Sequence, residues 1–345
     1  SYIGVDILMA LFCAAAISSG LYVRQYFSLK ALFFCGILSG LAVSSKYNAL
    51  PVVILPLIVS ISAKSFDWRS VAVALFSPVL GFLLGSPFAL VSLPLFLNQL
   101  AYEIWHYGVQ GHEGHMAEPG LPQLLFYMKW LGKSALGYGL LISSIIGLLV
   151  LVWKRDLKGK IFIIFPLLFI AQMCMQKANF ERNMLVVIPL LGIVSIVGID
   201  WMLRAMKLGE RKVHRLILLI VILFSIQPAL RALQLRNEAK VLPESRRELA
   251  VYLESLSRNN LRIGLAGQLQ MPPQIYSLGG TNKIDQMKIS SGEIDLSDFD
   301  VIVVHGPVAM TGAIFELEKE FPGEVGPQRV VKNPLIQVYR KRRGN

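Results

Sequence analysis

The sequence predicts a polytopic α-helical membrane protein with a small C-terminal α/β domain, and three observations predict it. About eight apolar stretches lie between Ser1 and Leu230, separated by loops rich in Lys and Arg. Hydrophobic residues make up 54% of the chain against 16% charged, and a mean hydropathy of +0.56 lies outside the range of an ordinary soluble domain. After Leu230 the apolar runs give way to short alternating patterns.

The spans are expected at 6–23, 31–45, 48–63, 70–90, 136–153, 161–176, 184–203 and 216–230. Several are shorter than the roughly 20 residues a straight helix needs to cross the hydrocarbon, which leaves room for 31–45 and 48–63 to form a hairpin that does not fully cross. Pro51, Pro56, Pro78, Pro87, Pro166 and Pro189 lie inside or at the ends of these spans, where neighbouring helices must satisfy the backbone groups that the kinks release.

Charge orients the bundle. Loops 24–30, 64–69, 154–160 and 204–215 together carry 13 Lys and Arg, against 5 on the opposite side of the 1–230 segment. The positive-inside rule makes the richer set cytoplasmic, so loop 93–133, loop 177–183 and everything after Leu230 are expected outside, the periplasm if the membrane is a bacterial inner membrane. The net charge of +12 comes mostly from these loops and the basic end Arg340 to Arg343, and gives no reason to invoke nucleic acid. Cys13, Cys35 and Cys174 all fall in predicted spans, as small apolar residues. The first residue is Ser and no basic leader precedes the apolar run, so no signal peptide is recognised and the chain is expected to begin within a longer protein.

Beyond Leu230, ESRRELAVYLESLS at 244–257 has helical spacing and LRIGLAG at 261–267 reads as a strand. A second strand, DVIVVHG at 300–306, is expected to lead into a helix over TGAIFELEKEF, with VGPQRVV and LIQVYRK as closing strands. The domains are therefore 1–230, a bundle of about eight helices, and 231–345, an outward α/β domain. No phosphate-cradling glycine loop occurs in the latter, and a lid or docking role without chemistry suits it.

Chemistry is expected where outward polar residues meet the membrane surface. Asp6 opens the first span, as a helix N-cap or as a site carboxylate. Lys46, followed by Tyr47 and Asn48, sits between two apolar runs, as a lysine snorkelling to head groups or as a point charge for the phosphate of a lipid-linked substrate. Loop 93–133 starts with an amphipathic stretch, PLFLNQLAYEIWHYG, with Phe96, Leu97, Leu100, Ala101 and Ile104 on one face and Asn98, Gln99, Glu103 and His106 on the other. It reads as an interfacial helix roofing a cavity. In VQGHEGHMAEPG, His112 and His115 are three apart between glycines, which is not the HExxH arrangement. His112 and Glu113 thus belong to a polar loop that binds substrate hydroxyls or simply sits in water or, as the alternative, to a metal site. In QKANFERNMLVVIP, Arg182 diverges from its neighbour Glu181 on a helix and is placed to seek another anion or to anchor at the interface.

SYIGVDILMALF, GLAVSSKYNALPVVILPL, GFLLGSPFAL with the FLNQLAYEIWHYGVQGHEGH that follows, and NFERNMLVVIPLL resemble, in order, segments of the family 39 glycosyltransferases. These are polyprenyl-phosphate-dependent membrane enzymes of the GT-C class, a group with protein O-mannosyltransferases and the aminoarabinose transferase of lipid A. The resemblance runs from about Ser1 to Met202. It implies a GT-C-like bundle that moves a hexose or pentose from a polyprenyl-phosphate carrier to a protein, lipid or glycan acceptor on the outer face, with inversion and without a nucleotide sugar. Asp6, Lys46 and Arg182 match the family's span-opening acid, the lysine of GLAxxxKxxAL and the arginine of FxRY. In that picture Lys46, Tyr47 and Arg182 hold the carrier phosphate, Asp6 orients the reactants, and Glu103, His106, His112 and Glu113 line the substrate loop. Cofactor use, including a divalent metal, stays open.

Two departures are visible. The family's main catalytic carboxylate lies in a first outer loop that would precede Ser1, and Asn183 stands where a tyrosine is usual. They give the alternative, a non-catalytic scaffolding or assembly subunit derived from such a transferase, with membrane proteins as partners. A transporter ranks last, because no pair of matching broken helices is visible in two halves.

Overall fold

The computed structural model describes residues 5–62, 67–111, 115–154, 156–241, 244–256, 260–266, 269, 271, 275–276, 281–287, 298–305, 314–323 and 333–342. The chain divides into two units, Ser1–Ala232 and Leu233–Asn345.

The regular elements described in the first unit are helices. Helix α1 (Val5–Gln25) is followed by α2 (Leu29–Ser45), a 3-10 segment (Tyr47–Val53) that continues into α3 (Ile54–Ile61), and α4 (Trp68–Gly85). The short α5 (Phe88–Val91), α6 (Leu93–Trp105) with a π turn (His106–Gln110), and α7 (Leu121–Trp130) with a second π turn (Leu131–Ala135) fill the long connection. Then come α8 (Tyr138–Trp153), α9 (Leu157–Cys174), a 3-10 turn (Glu181–Val186), α10 (Ile188–Ala205) and α11 (Glu210–Val241). Among the described residues five helices, α1, α4, α9, α10 and α11, are long and apolar enough to cross a membrane; 29–45, 47–61 and 138–153 are apolar but shorter. Side-chain oxygens cap the basic-loop ends: Ser28 for α2, Asp67 for α4 and Asp156 for α9 each accept from a backbone N–H of the first turn, which satisfies donors that have no partner within the helix.

Small residues let the helices touch. At the α2–α4 crossing a Cβ on Gly40 would collide with the Pro78 carbonyl, and one on Gly81 with the Ile37 carbonyl. At the α8–α10 crossing Gly147 and Gly198 play the same part against Val194 and Ser143. Polar contacts reinforce both: Ser44 pairs with Ser86 at 2.8 Å, and the Ser144 hydroxyl donates to the Leu191 carbonyl at 2.8 Å. Packing through small residues with hydroxyl hydrogen bonds holds helices together where lipid removes the hydrophobic drive between them. The core beneath is built from large buried side chains such as Tyr127, Phe165, Phe169, Met9 and Leu55.

The second unit has α12 (Ser245–Ser255) and a five-stranded sheet of β1 (Arg262–Ala266), β2 (Lys283–Met287), β3 (Val301–His305), β4 (Phe315–Phe321) and β5 (Ile336–Lys341) in the order β2-β1-β3-β5-β4. β2, β1 and β3 are parallel, while β5 is antiparallel to both β3 and β4. Leu249 and Leu253 of α12 pack in the core with Ile263, Leu265 and the wholly buried β3.

One expectation is overturned here. FELEKEF is the edge strand β4 and not a helix, although Glu, Leu and Lys favour helix. Pairing decides the matter: β4 lies along the length of β5, Phe315 and Phe321 turn inward, and Glu318 and Glu316 meet Arg340 and Arg342 across the strands. Such cross-strand pairs are the unit of sheet stabilisation and outweigh local propensity. The segment VGPQRVV, expected to partner LIQVYRK, lies outside the described residues.

Candidate functional site

Three segments distant in sequence meet at the end of the bundle opposite the basic loops. α2 stops at Ser45, and Lys46 is extended before the chain turns into the 3-10 segment, so its side chain leaves the helix towards the first turn of α1. Its ammonium Nζ donates to Asp6 Oδ1 at 2.6 Å and to Asn183 Oδ1 at 2.9 Å. The side chains are largely enclosed, with 19% of Lys46 and 9% of Asp6 exposed. Lys46 therefore does not snorkel outward. Asn183 supplies a neutral acceptor for the lysine. Behind it the buried Tyr127 lies against Asn183 and the Phe180 backbone.

Arg182 faces the other way. It is exposed, its guanidinium lies 5.0 Å from the centre of the Phe180 ring, and its charge acts on the Tyr107 hydroxyl. Burial first, then the nearby Glu103 and Asp6 carboxylates, raise the Tyr107 hydroxyl above its ordinary value, with Arg182 opposing. Tyr107 thus stays protonated at neutral pH. A protonated phenol can donate to an anionic oxygen.

Backbone contacts between the two loops fix this geometry. The Tyr107 carbonyl accepts from the N–H groups of Lys177 and Ala178 at 2.9 and 3.0 Å, and the Asn179 N–H donates to the His115 carbonyl. Met116 and Ala178 form a β-bridge. The wholly buried Gln123 of α7 donates to the carbonyls of Gln176 and Lys177 at 2.8 and 2.7 Å. Gln123→Leu is expected to remove the side-chain donor from the Gln176 carbonyl and to leave the Lys177 carbonyl only the Ala117 N–H at 3.0 Å, destabilising the first unit by about 2 kcal/mol, read as a lower melting temperature of the detergent-solubilised chain. An unchanged melt would refute the assigned role.

The other sequence-derived candidates are placed as follows. Tyr47 is partly exposed and sets its ring edge-on to Phe96, 6.1 Å away. Glu103 adjoins Tyr107. His106 stacks on Tyr102 at 5.7 Å and shares a 2.7 Å hydrogen bond with Gln110. His112 and Glu113 lie outside the described residues. Among the described residues no group of three or more His, Cys, Asp or Glu side chains is arranged to hold a metal ion. On α6 Phe96 has ring contacts with Tyr47 and Phe82, while Leu97 and Ile104 are 52% and 66% exposed.

Sequence reasoning missed Tyr107, Gln123 and Tyr127, and saw Asn183 only as a departure. Nothing in local sequence marks Gln123, whose two shortest bonds reach carbonyls more than 50 positions away. Tyr107 directly follows the marked His106, but its link to Arg182 is tertiary. No protein-family model, curated protein or solved structure matches the chain.

Proposed function

We propose that this end of the bundle binds the phosphate of a polyprenyl-phosphate-linked sugar, and that the chain is a GT-C-type membrane glycosyltransferase passing the sugar to an acceptor on the outer face. The carrying observation is the meeting of Asp6, Lys46 and the Arg182–Asn183 pair, from three segments, with the Tyr107 hydroxyl within the influence of both Arg182 and Asp6. Arg182 and Tyr107 are the accessible phosphate donors. Lys46 is held in place by Asp6 and Asn183. Fixed donors around a leaving phosphate in a water-poor site stabilise the charge that develops as the glycosidic bond breaks. By the charge rule the basic loops are cytoplasmic and this end lies on the outer face, the periplasm if the membrane is a bacterial inner membrane, with membrane lipids around the apolar helices.

The second reading, a non-catalytic assembly subunit, is favoured by the ion pair itself: Asp6 already neutralises Lys46, as a structural contact would. The two are separated by incubating the full chain in vesicles with polyprenyl-phosphate hexoses and pentoses and measuring release of polyprenyl phosphate. The transferase reading expects release, lowered about 100-fold by Arg182→Gln. No release from any donor, with membrane proteins stoichiometrically co-purified, would favour the subunit.

A further inference from the structure

A second site lies at the opposite end of the same unit. A groove of about 400 Å³ opens between α1, α8, α9 and α10. Its polar end is built. Gln25 accepts from the Lys158 ammonium through Oε1 at 3.0 Å and donates through Nε2 to the Tyr26 hydroxyl at 2.7 Å. The Tyr22 ring leans on that of Tyr26 with centroids 5.3 Å apart. From there the lining becomes apolar through Leu151, Phe162, Ile193 and Val197, and Ile193 is 52% exposed, so the groove opens sideways. Gly159 keeps it clear beside Leu151: a Cβ there would approach the Leu151 side chain to 2.9 Å.

We propose that this groove binds one anionic glycerophospholipid of the leaflet on the basic-loop side, with an acyl chain along the apolar lining and the phosphate on Lys158. Three features select this occupant. The groove is cationic at one end and apolar along the rest, as an amphiphile requires. It opens laterally from α10, one of the helices apolar enough to cross a membrane. Its tyrosines and lysine are residue types that anchor at head-group level, and an ammonium that gives one hydrogen to Gln25 has two more for phosphate oxygens. The inference rests on insertion of these helices in a bilayer and not on the transferase reading.

Native mass spectrometry of the full chain in detergent, titrated with phosphatidylglycerol, phosphatidylcholine of the same acyl chains, or glycerol 3-phosphate, tests it. Phosphatidylglycerol is expected to be retained in preference to phosphatidylcholine. K158Q, at an exposed position that leaves folding intact, should lower its retention about fivefold and leave phosphatidylcholine unchanged. I193W, which narrows the groove without touching a charge, should lower phosphatidylglycerol retention too. Equal retention of both lipids, indifference to K158Q, indifference to I193W, or binding of glycerol 3-phosphate as strong as that of the lipid would each overturn the proposal.

Discussion

Lys46→Ala is expected to abolish donor turnover and to destabilise the helical unit by about 3 kcal/mol, the lower end of what removing one partner of a buried ion pair costs, because Lys46 keeps some exposure. The loss arises mostly from what is left behind: the Asp6 carboxylate and the Asn183 carbonyl oxygen lose the ammonium that lies 2.6 and 2.9 Å from them. Asp6→Asn in the same chain separates structure from chemistry. The double variant Asp6→Asn with Lys46→Met removes both charges, and replacing a buried pair by neutral groups of similar volume is close to neutral in stability. It should therefore recover most of the melting temperature while turnover stays absent. A double variant as active as the parent would show that the pair only holds α1 to the rest of the bundle. Thermal melts and polyprenyl-phosphate release on the four chains supply both readouts.

Gly40→Leu is expected to have the largest effect on folding. The position faces the carbonyl of Pro78 and the backbone of Phe82, so added atoms meet main chain, which cannot swing aside as a side chain would. Overpacking normally costs about 1–3 kcal/mol, and here the helices themselves must separate, breaking the Ser44–Ser86 contact as well. Loss of the monodisperse peak in detergent size-exclusion is the expected readout. Gly192→Ala is the counterpart: nothing lies within 4 Å of its added Cβ and it is inside α10, so a gain of about 0.5 kcal/mol is expected from the restricted unfolded chain. If Gly40→Leu melted like the parent, close approach would not be what joins α2 to α4.

The helical unit was legible because long apolar runs leave few alternatives, but the expected spans begin at 31, 70 and 161, a few residues after the caps Ser28, Asp67 and Asp156 that mark the helix starts. Lys46 was legible as a cation out of place, and Asp6 as an acid at a span's first turn. What joined them was not: nothing local in FERN says that Asn183 takes the lysine while its neighbour Arg182 turns to Phe180 and Tyr107. That division follows from the 3-10 turn at 181–186, which sends adjacent side chains to different sides, one buried and one exposed. FELEKEF misled for a related reason. Its helix-forming residues are held as a strand by β5, and the pairing residues lie about 20 positions further along the chain.

Binding of polyprenyl phosphate to the purified full chain, compared with the same polyprenol lacking phosphate, tests the central claim most directly. The account predicts retention that requires the phosphate and falls at least tenfold in Arg182→Gln, while phosphatidylglycerol retention at the Lys158 groove is unchanged. Equal retention of the phosphate and the free alcohol, or binding indifferent to Arg182, would contradict a phosphate site at the Lys46 end of the bundle.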